Sequence, residues 1–102
     1  MKNKFDTDSN GYIKNGKKWN KSFAYLIAEQ DNILLTDEHW KIIMFIRNFF
    51  LKFNTSPTSR MLIKAISKNK KIDSMYLYKL FPNGIAKQAA KMAGIPKPTK
   101  CI

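Results

Sequence analysis

Thr36-Asp37-Glu38-His39-Trp40-Lys41-Ile42-Ile43-Met44-Phe45-Ile46-Arg47-Asn48-Phe49-Phe50-Leu51-Lys52-Phe53 is the stretch on which the fold turns. Thr36 is a good N-cap. Asp37 and Glu38 follow in the first turn, where the helix dipole favours negative charge. Ten of the next residues are apolar: Trp40, Ile42, Ile43, Met44, Phe45, Ile46, Phe49, Phe50, Leu51 and Phe53. They go round most of the helix rather than along one stripe. Such a helix is buried on several sides, so it is expected at the centre of the fold.

Upstream, Asn20 can cap a helix over residues 21 to about 31, with Phe23, Leu26 and Ile27 on one face. Ile33-Leu34-Leu35 is a short apolar connector. Residues 4–14 read as a β-hairpin around the turn cluster Asp8-Ser9-Asn10-Gly11, since Asn-Gly is a strong hairpin signal. Phe5, Tyr12 and Ile13 would seat it on the helices.

Downstream, Asn54-Thr55-Ser56-Pro57 stops the long helix and starts another, with Ser56 as N-cap and Pro57 as first helical residue. That helix is expected to reach about residue 68, with Met61, Leu62, Ala65 and Ile66 inward. Lys68-Asn69-Lys70-Lys71 is a solvated charge run. A fourth helix spans about 73–81, with Tyr76, Leu77 and Leu80 inward, and Pro82 ends it. A fifth spans about 84–93, with Gly94 as the residue that closes it. The expected fold is mostly α, of α+β class. An N-terminal β-hairpin packs on a bundle of about five helices with helix-turn-helix-like character, and an extended C-terminal arm follows. Residues 1–102 form one domain, with the helical body at 21–93 and the arm at 95–102.

Composition narrows the function. With 102 residues the chain is long enough for one core and too short for a two-domain cofactor enzyme. One cysteine, Cys101, excludes an intrachain disulfide framework and a cysteine-rich zinc site; one histidine leaves few soft metal ligands. No cofactor is expected, and no P-loop lysine motif is present. The longest apolar run, Ile42-Ile43-Met44-Phe45-Ile46, is far short of the roughly 20 residues that span a bilayer. The first residues carry no apolar signal segment, so a cytoplasmic protein with a reduced thiol is expected. The net charge of +12 points to an acidic partner. Its make-up, seventeen Lys and two Arg beside abundant Asn and Ile, also fits drift toward A+T-rich codons. A phosphate grip more often uses the arginine fork.

After Gly94 the character changes. Ile95-Pro96-Lys97-Pro98-Thr99-Lys100-Cys101-Ile102 alternates proline with lysine and favours an extended, semi-rigid arm. The six residues 96–101 give roughly 19 Å of reach at about 3.1 Å each. The single thiol would then stand near the tip, able to enter deep pockets while the body stays outside. An unperturbed thiol is only about 3% thiolate at pH 7, so full activation is expected inside a partner's pocket.

The terminal stretch runs Leu77-Tyr78-Lys79-Leu80-Phe81-Pro82-Asn83-Gly84, then Ile85-Ala86-Lys87-Gln88-Ala89-Ala90-Lys91-Met92-Ala93-Gly94, and ends with the arm. It resembles the C-terminus of the DsrC/TusE family of sulfur-trafficking proteins. Glu38-His39-Trp40, Asn54-Thr55-Ser56-Pro57-Thr58-Ser59-Arg60-Met61-Leu62, and the opening with Gly11-Tyr12 and Trp19 resemble it too. Ile85 stands where the family often has proline. Ala90 stands where sulfite-reductase-linked members carry a second cysteine. The resemblance therefore implies the tRNA-thiolation branch and a sulfurtransferase without independent turnover. A TusBCD-type complex would load Cys101 as a persulfide. An MnmA-type tRNA 2-thiouridylase, with its tRNA, would receive the sulfur for the wobble uridine. Neither a membrane nor a metal is implied.

Other residues carry weaker expectations. Arg60 can pair with a carboxylate and dock the arm, and Lys97 and Lys100 can steer it to acidic pockets. His39 reads as structural, Lys87 and Lys91 as a solvated face, and Trp19 and Trp40 as core. The rival reading is a helix-turn-helix DNA-binding protein using the Arg60/Lys64/Lys68/Lys71 face. It leaves the Pro-Lys-Pro segment and its thiol without a purpose.

Overall fold

The computed structural model describes residues 5–67 and 72–96. After a short 3₁₀ turn, Gly16–Lys18, five α-helices follow: α1 Lys21–Gln30, α2 Asp37–Phe53, α3 Ser59–Ile66, α4 Ser74–Leu80 and α5 Ala90–Met92. A single π-helical turn, Ile85–Ala89, leads into α5.

The first four helices start where a side chain can take an orphan amide. The Asn20 side chain accepts from Phe23 N at 3.3 Å. Asp73 accepts from Tyr76 N at 3.0 Å. At α2 the reciprocal partner of Thr36 is His39, whose Nδ1 accepts from Thr36 N at 3.1 Å. Asn54, at φ +56, closes α2 in the left-handed conformation that asparagine tolerates. The start of α3 corrects the sequence reading. Thr58, not Ser56, is the N-cap, and its hydroxyl accepts from Met61 N at 3.1 Å. Pro57 is buried and precedes the helix instead of opening it. The fifth helix is also corrected: residues 84–93 are not one α-helix but the π turn followed by α5. The π turn sets Gln88 inward, where its Oε1 accepts from Asn83 N at 2.9 Å and its Nε2 donates to Asp31 at 3.2 Å.

No strand occurs among the described residues, so the α+β class with an N-terminal hairpin is wrong and the protein is helical. What remains of residues 4–14 is one antiparallel bridge between Thr7 and Ile13. The cause is local competition from Asp8. Its Oδ1 accepts from Asn10 N at 2.8 Å and from Tyr12 N at 3.0 Å. Gly11, at φ +88, donates to the Asp8 carbonyl oxygen at 3.0 Å. The chain thus closes as a capped loop, and Asn15 starts the 3₁₀ turn before a ladder can lengthen.

The core joins Phe23 and Ile27 of α1, Ile42, Ile43 and Ile46 of α2, Leu62 of α3 and Leu77 of α4. The segment from Ile85 to Ile95 fills the middle of it: Ala89, Ala90, Met92, Ala93 and Ile95 are all buried. The end of the chain's helical part is therefore as central as α2. No helix among the described residues is long and apolar enough to cross a membrane.

Candidate functional site: the root of the cysteine-bearing segment

Cys101, Lys97 and Lys100 lie outside the described residues, as do Lys68 and Lys71 of the rival basic stripe. What the structure shows is the point from which the chain runs on toward Cys101. Gly94 takes φ +73, and its N–H donates to the Lys91 carbonyl oxygen at 3.1 Å. Ile95 N–H reaches the Ala90 carbonyl oxygen at 3.5 Å. This is a Schellman closure, with Ile95 packed inward as its apolar plug.

Two carbonyls of the last turn are left over, and two distant side chains take them. The Trp19 indole Nε1–H donates to the Met92 carbonyl oxygen at 2.7 Å. Arg47 Nη1 donates to the Ala93 carbonyl oxygen at 2.9 Å, and its Nη2 donates to that of Gly16 at 2.9 Å. The guanidinium carbon stands 4.2 Å from the centre of the Trp19 ring. A cation at the negative end of a helix is favoured electrostatically, and the stacked ring adds to this. Burial lowers the Arg47 pKa from its ordinary value. An arginine stays charged there regardless. Gly94 has to be glycine for a second reason: a Cβ would stand 2.2 Å from Trp19 Cδ1.

Beside this root lies a pocket of about 140 Å³, lined among others by Ile13, Lys14, Arg47, Phe50, Leu51 and Pro96. It is apolar with two cationic groups on its wall. Among the described residues no cluster of His, Cys, Asp or Glu could hold a metal ion. The root supplies placement and positive charge.

The other sequence candidates fall elsewhere. Arg60 is exposed in the first turn of α3 and makes no hydrogen bond or ion pair with another described residue. The arginine at the root is Arg47, which the sequence reading passed over. The signal available was an arginine, in a lysine-dominated chain, set inside the apolar run of α2. His39 is buried: Nε2 contacts the Leu80 carbonyl oxygen at 2.9 Å, and the ring meets Phe81 edge-on at 5.1 Å between centroids. Trp19 is more than core, since it holds the root. Lys91 is not simply solvated, because its ammonium lies 5.4 Å over the Tyr12 ring. Arg60 and Lys64 are both exposed on α3, a helix of only eight residues.

Comparison with known proteins agrees with this geometry. A family model described as DsrC-like protein matches residues 1–102. Sulfurtransferase TusE of Photorhabdus laumondii is 54% identical over 100 residues, covering 95% of this chain and 90% of that protein. Its Escherichia coli K12 counterpart is 51% identical over 100 residues, covering 95% and 92%. The crystal structure of the oxidized gamma-subunit of dissimilatory sulfite reductase, DsrC, from Archaeoglobus fulgidus superposes with a TM-score of 0.87 at 38% identity, covering 96% of this chain and 92% of that one. A helical body that grips the chain shortly before its one cysteine, in a sequence matched by the family model over its full length and by such relatives over 95% of it, belongs to the DsrC-like family and, within it, to the sulfurtransferases.

Proposed function

We propose that this protein is the cysteine carrier of a cytoplasmic tRNA-thiolation relay. The Cys101 thiolate attacks the outer sulfur of a persulfide on a TusBCD-type donor. The donor's S–S bond breaks, its inner sulfur leaves as a thiolate, and a new S–S bond forms on Cys101. The exchange needs no outside oxidant, because the outer sulfur arrives already at the persulfide level. An MnmA-type thiouridylase holding its tRNA then takes that sulfur for 2-thiolation of the wobble uridine. Having a single cysteine, the carrier holds its cargo as a persulfide and has no second thiol within the chain to release it as an intrachain disulfide.

The observation that carries this reading is the 51–54% identity to sulfurtransferases TusE over 95% of the chain, with the turn at Met92 and Ala93 clamped shortly before Cys101. Lys97 and Lys100 steer the segment toward acidic pockets in this scheme, and Arg60 is left to partner docking on the body.

The test is intact-mass analysis after incubation with a sulfur-loaded donor complex. The expected result is a gain of one sulfur atom that is lost on treatment with reductant and absent in Cys101→Ser. Persistent wobble thiolation in cells whose only carrier is Cys101→Ser would overturn the reading.

A further inference from the structure

We propose that Trp19 and Arg47 are positioning residues for the cysteine-bearing segment: together they fix the last helical turn and so set where, and in which direction, the chain departs toward Cys101. The inference rests on the carrier reading for its purpose, though its geometry stands alone.

Helix ends leave their last carbonyls without intrahelical partners, to be met by water, side chains or capping turns. Here every one is accounted for. Ala90 and Lys91 are closed by the amides of Ile95 and Gly94. Met92 is closed by Trp19, 73 positions away in sequence, and Ala93 by Arg47, 46 positions away. The same guanidinium reaches the Gly16 carbonyl oxygen, so three separate parts of the chain meet at one point. Backbone packs on backbone there: a Cβ on Gly16 would stand 3.1 Å from the Gly94 carbonyl oxygen.

The consequence is mechanical. Without the two side-chain donors, Met92 and Ala93 would leave buried carbonyls unmet, and the turn would gain by opening to water. Each residue released from helix to extended chain adds roughly 1.6 Å of contour, from about 1.5 Å to about 3.1 Å. A longer and looser tether dilutes its tip at any docking site, with no change in the tip's own chemistry. Loss of the clamp should therefore slow delivery, not the thiol.

The test uses the full chain, whose single cysteine takes a nitroxide label at Cys101 without further engineering. Paramagnetic broadening of the body's amides maps where the label travels. Arg47→Met keeps the stem and removes both donors. Trp19→Phe keeps a ring against Gly94 and removes the N–H, and it carries the comparison alone if Arg47→Met fails to fold. Expected in the folded variants is a wider set of broadened amides, with Cys101 alkylation by iodoacetamide within about two-fold of wild type and subsaturating sulfur uptake roughly ten-fold slower. The saturated uptake rate is unchanged, and Arg47→Lys, which keeps one donor, recovers part of the loss. Folded variants with the wild-type broadening pattern overturn the inference. A pattern that widens while wild-type protein accepts no sulfur supports the clamp and overturns the carrier reading instead.

Discussion

His39 Nε2 lies 2.9 Å from the carbonyl oxygen of Leu80, tying the first turn of α2 to the last turn of α4 across 41 positions of sequence. A carbonyl only accepts, so the ring proton sits on Nε2. Nδ1 is then the acceptor for the Thr36 N–H at 3.1 Å. Both nitrogens are occupied in a buried setting, which makes this histidine a brace and not a base.

Replacing it should therefore cost stability and leave thiol chemistry alone. His39→Ala strands the Leu80 carbonyl and the Thr36 amide and removes the edge contact to Phe81. The expected loss is about 2 kcal/mol, or roughly 10 °C in Tm, by thermal and urea unfolding. Sulfur uptake per folded molecule stays at the wild-type level; a stable variant with lost uptake would contradict the assignment.

Two glycines of positive φ, one before the π turn and one at the root, differ in what surrounds them. Gly84 and Gly94 both have positive φ, at +97 and +73, but a Cβ at Gly84 meets nothing within 4 Å while one at Gly94 strikes Trp19. Gly84→Ala should cost the backbone strain alone, about 1–3 kcal/mol, because φ +97 with ψ 155 is a conformation essentially confined to glycine. Gly94→Ala adds overpacking of about 1–3 kcal/mol and displaces the indole, shifting the Trp19 Nε1–H resonance. An unmoved Trp19 Nε1–H resonance in Gly94→Ala would show that the indole does not press on Gly94.

Alkaline stability should depend on Tyr76. Its phenol donates to Glu38 Oε1, and burial first, then that carboxylate, pushes its pKa from 10 up to about 12. The folded state keeps the proton where the unfolded chain has lost it. The stabilisation is therefore complete below pH 10 and is lost as pH rises toward about 12. Denaturant titrations of wild type and Tyr76→Phe should show a stability difference that shrinks across that window. Subtracting one chain from the other cancels the lysine background common to both, and a difference that stays constant would separate Tyr76 from the effect.

What could be read from sequence follows how local each cause is. The bounds of α2 were plain because Thr36, Asp37, Glu38 and Asn54 act within a turn of their own positions. Asn20 and Gly94 were legible for the same reason. The hairpin failed because a single carboxylate, Asp8, outbid the ladder for the amides of Asn10 and Tyr12. Ser56 with Pro57 behind it read as the start of α3, but Pro57 is buried ahead of the helix and the cap falls to Thr58. Arg47 was missed because a helix apolar nearly all round does not reveal which face meets a turn 46 positions later. Cys101 needed no structure to be noticed, being the chain's single thiol.

The π turn at Ile85–Ala89 has a consequence for insertions and deletions. Its Ala90 N–H closes on the Ile85 carbonyl oxygen, five positions back instead of four. Removing one residue would let the turn relax into the commoner helix, but everything after it would rotate by about 100°. Met92 and Ala93 would then fall out of phase with the indole and the guanidinium waiting for them. Point changes in this turn trade small amounts of fit, whereas a change in its length disconnects the last helical turn from the two side chains that hold it.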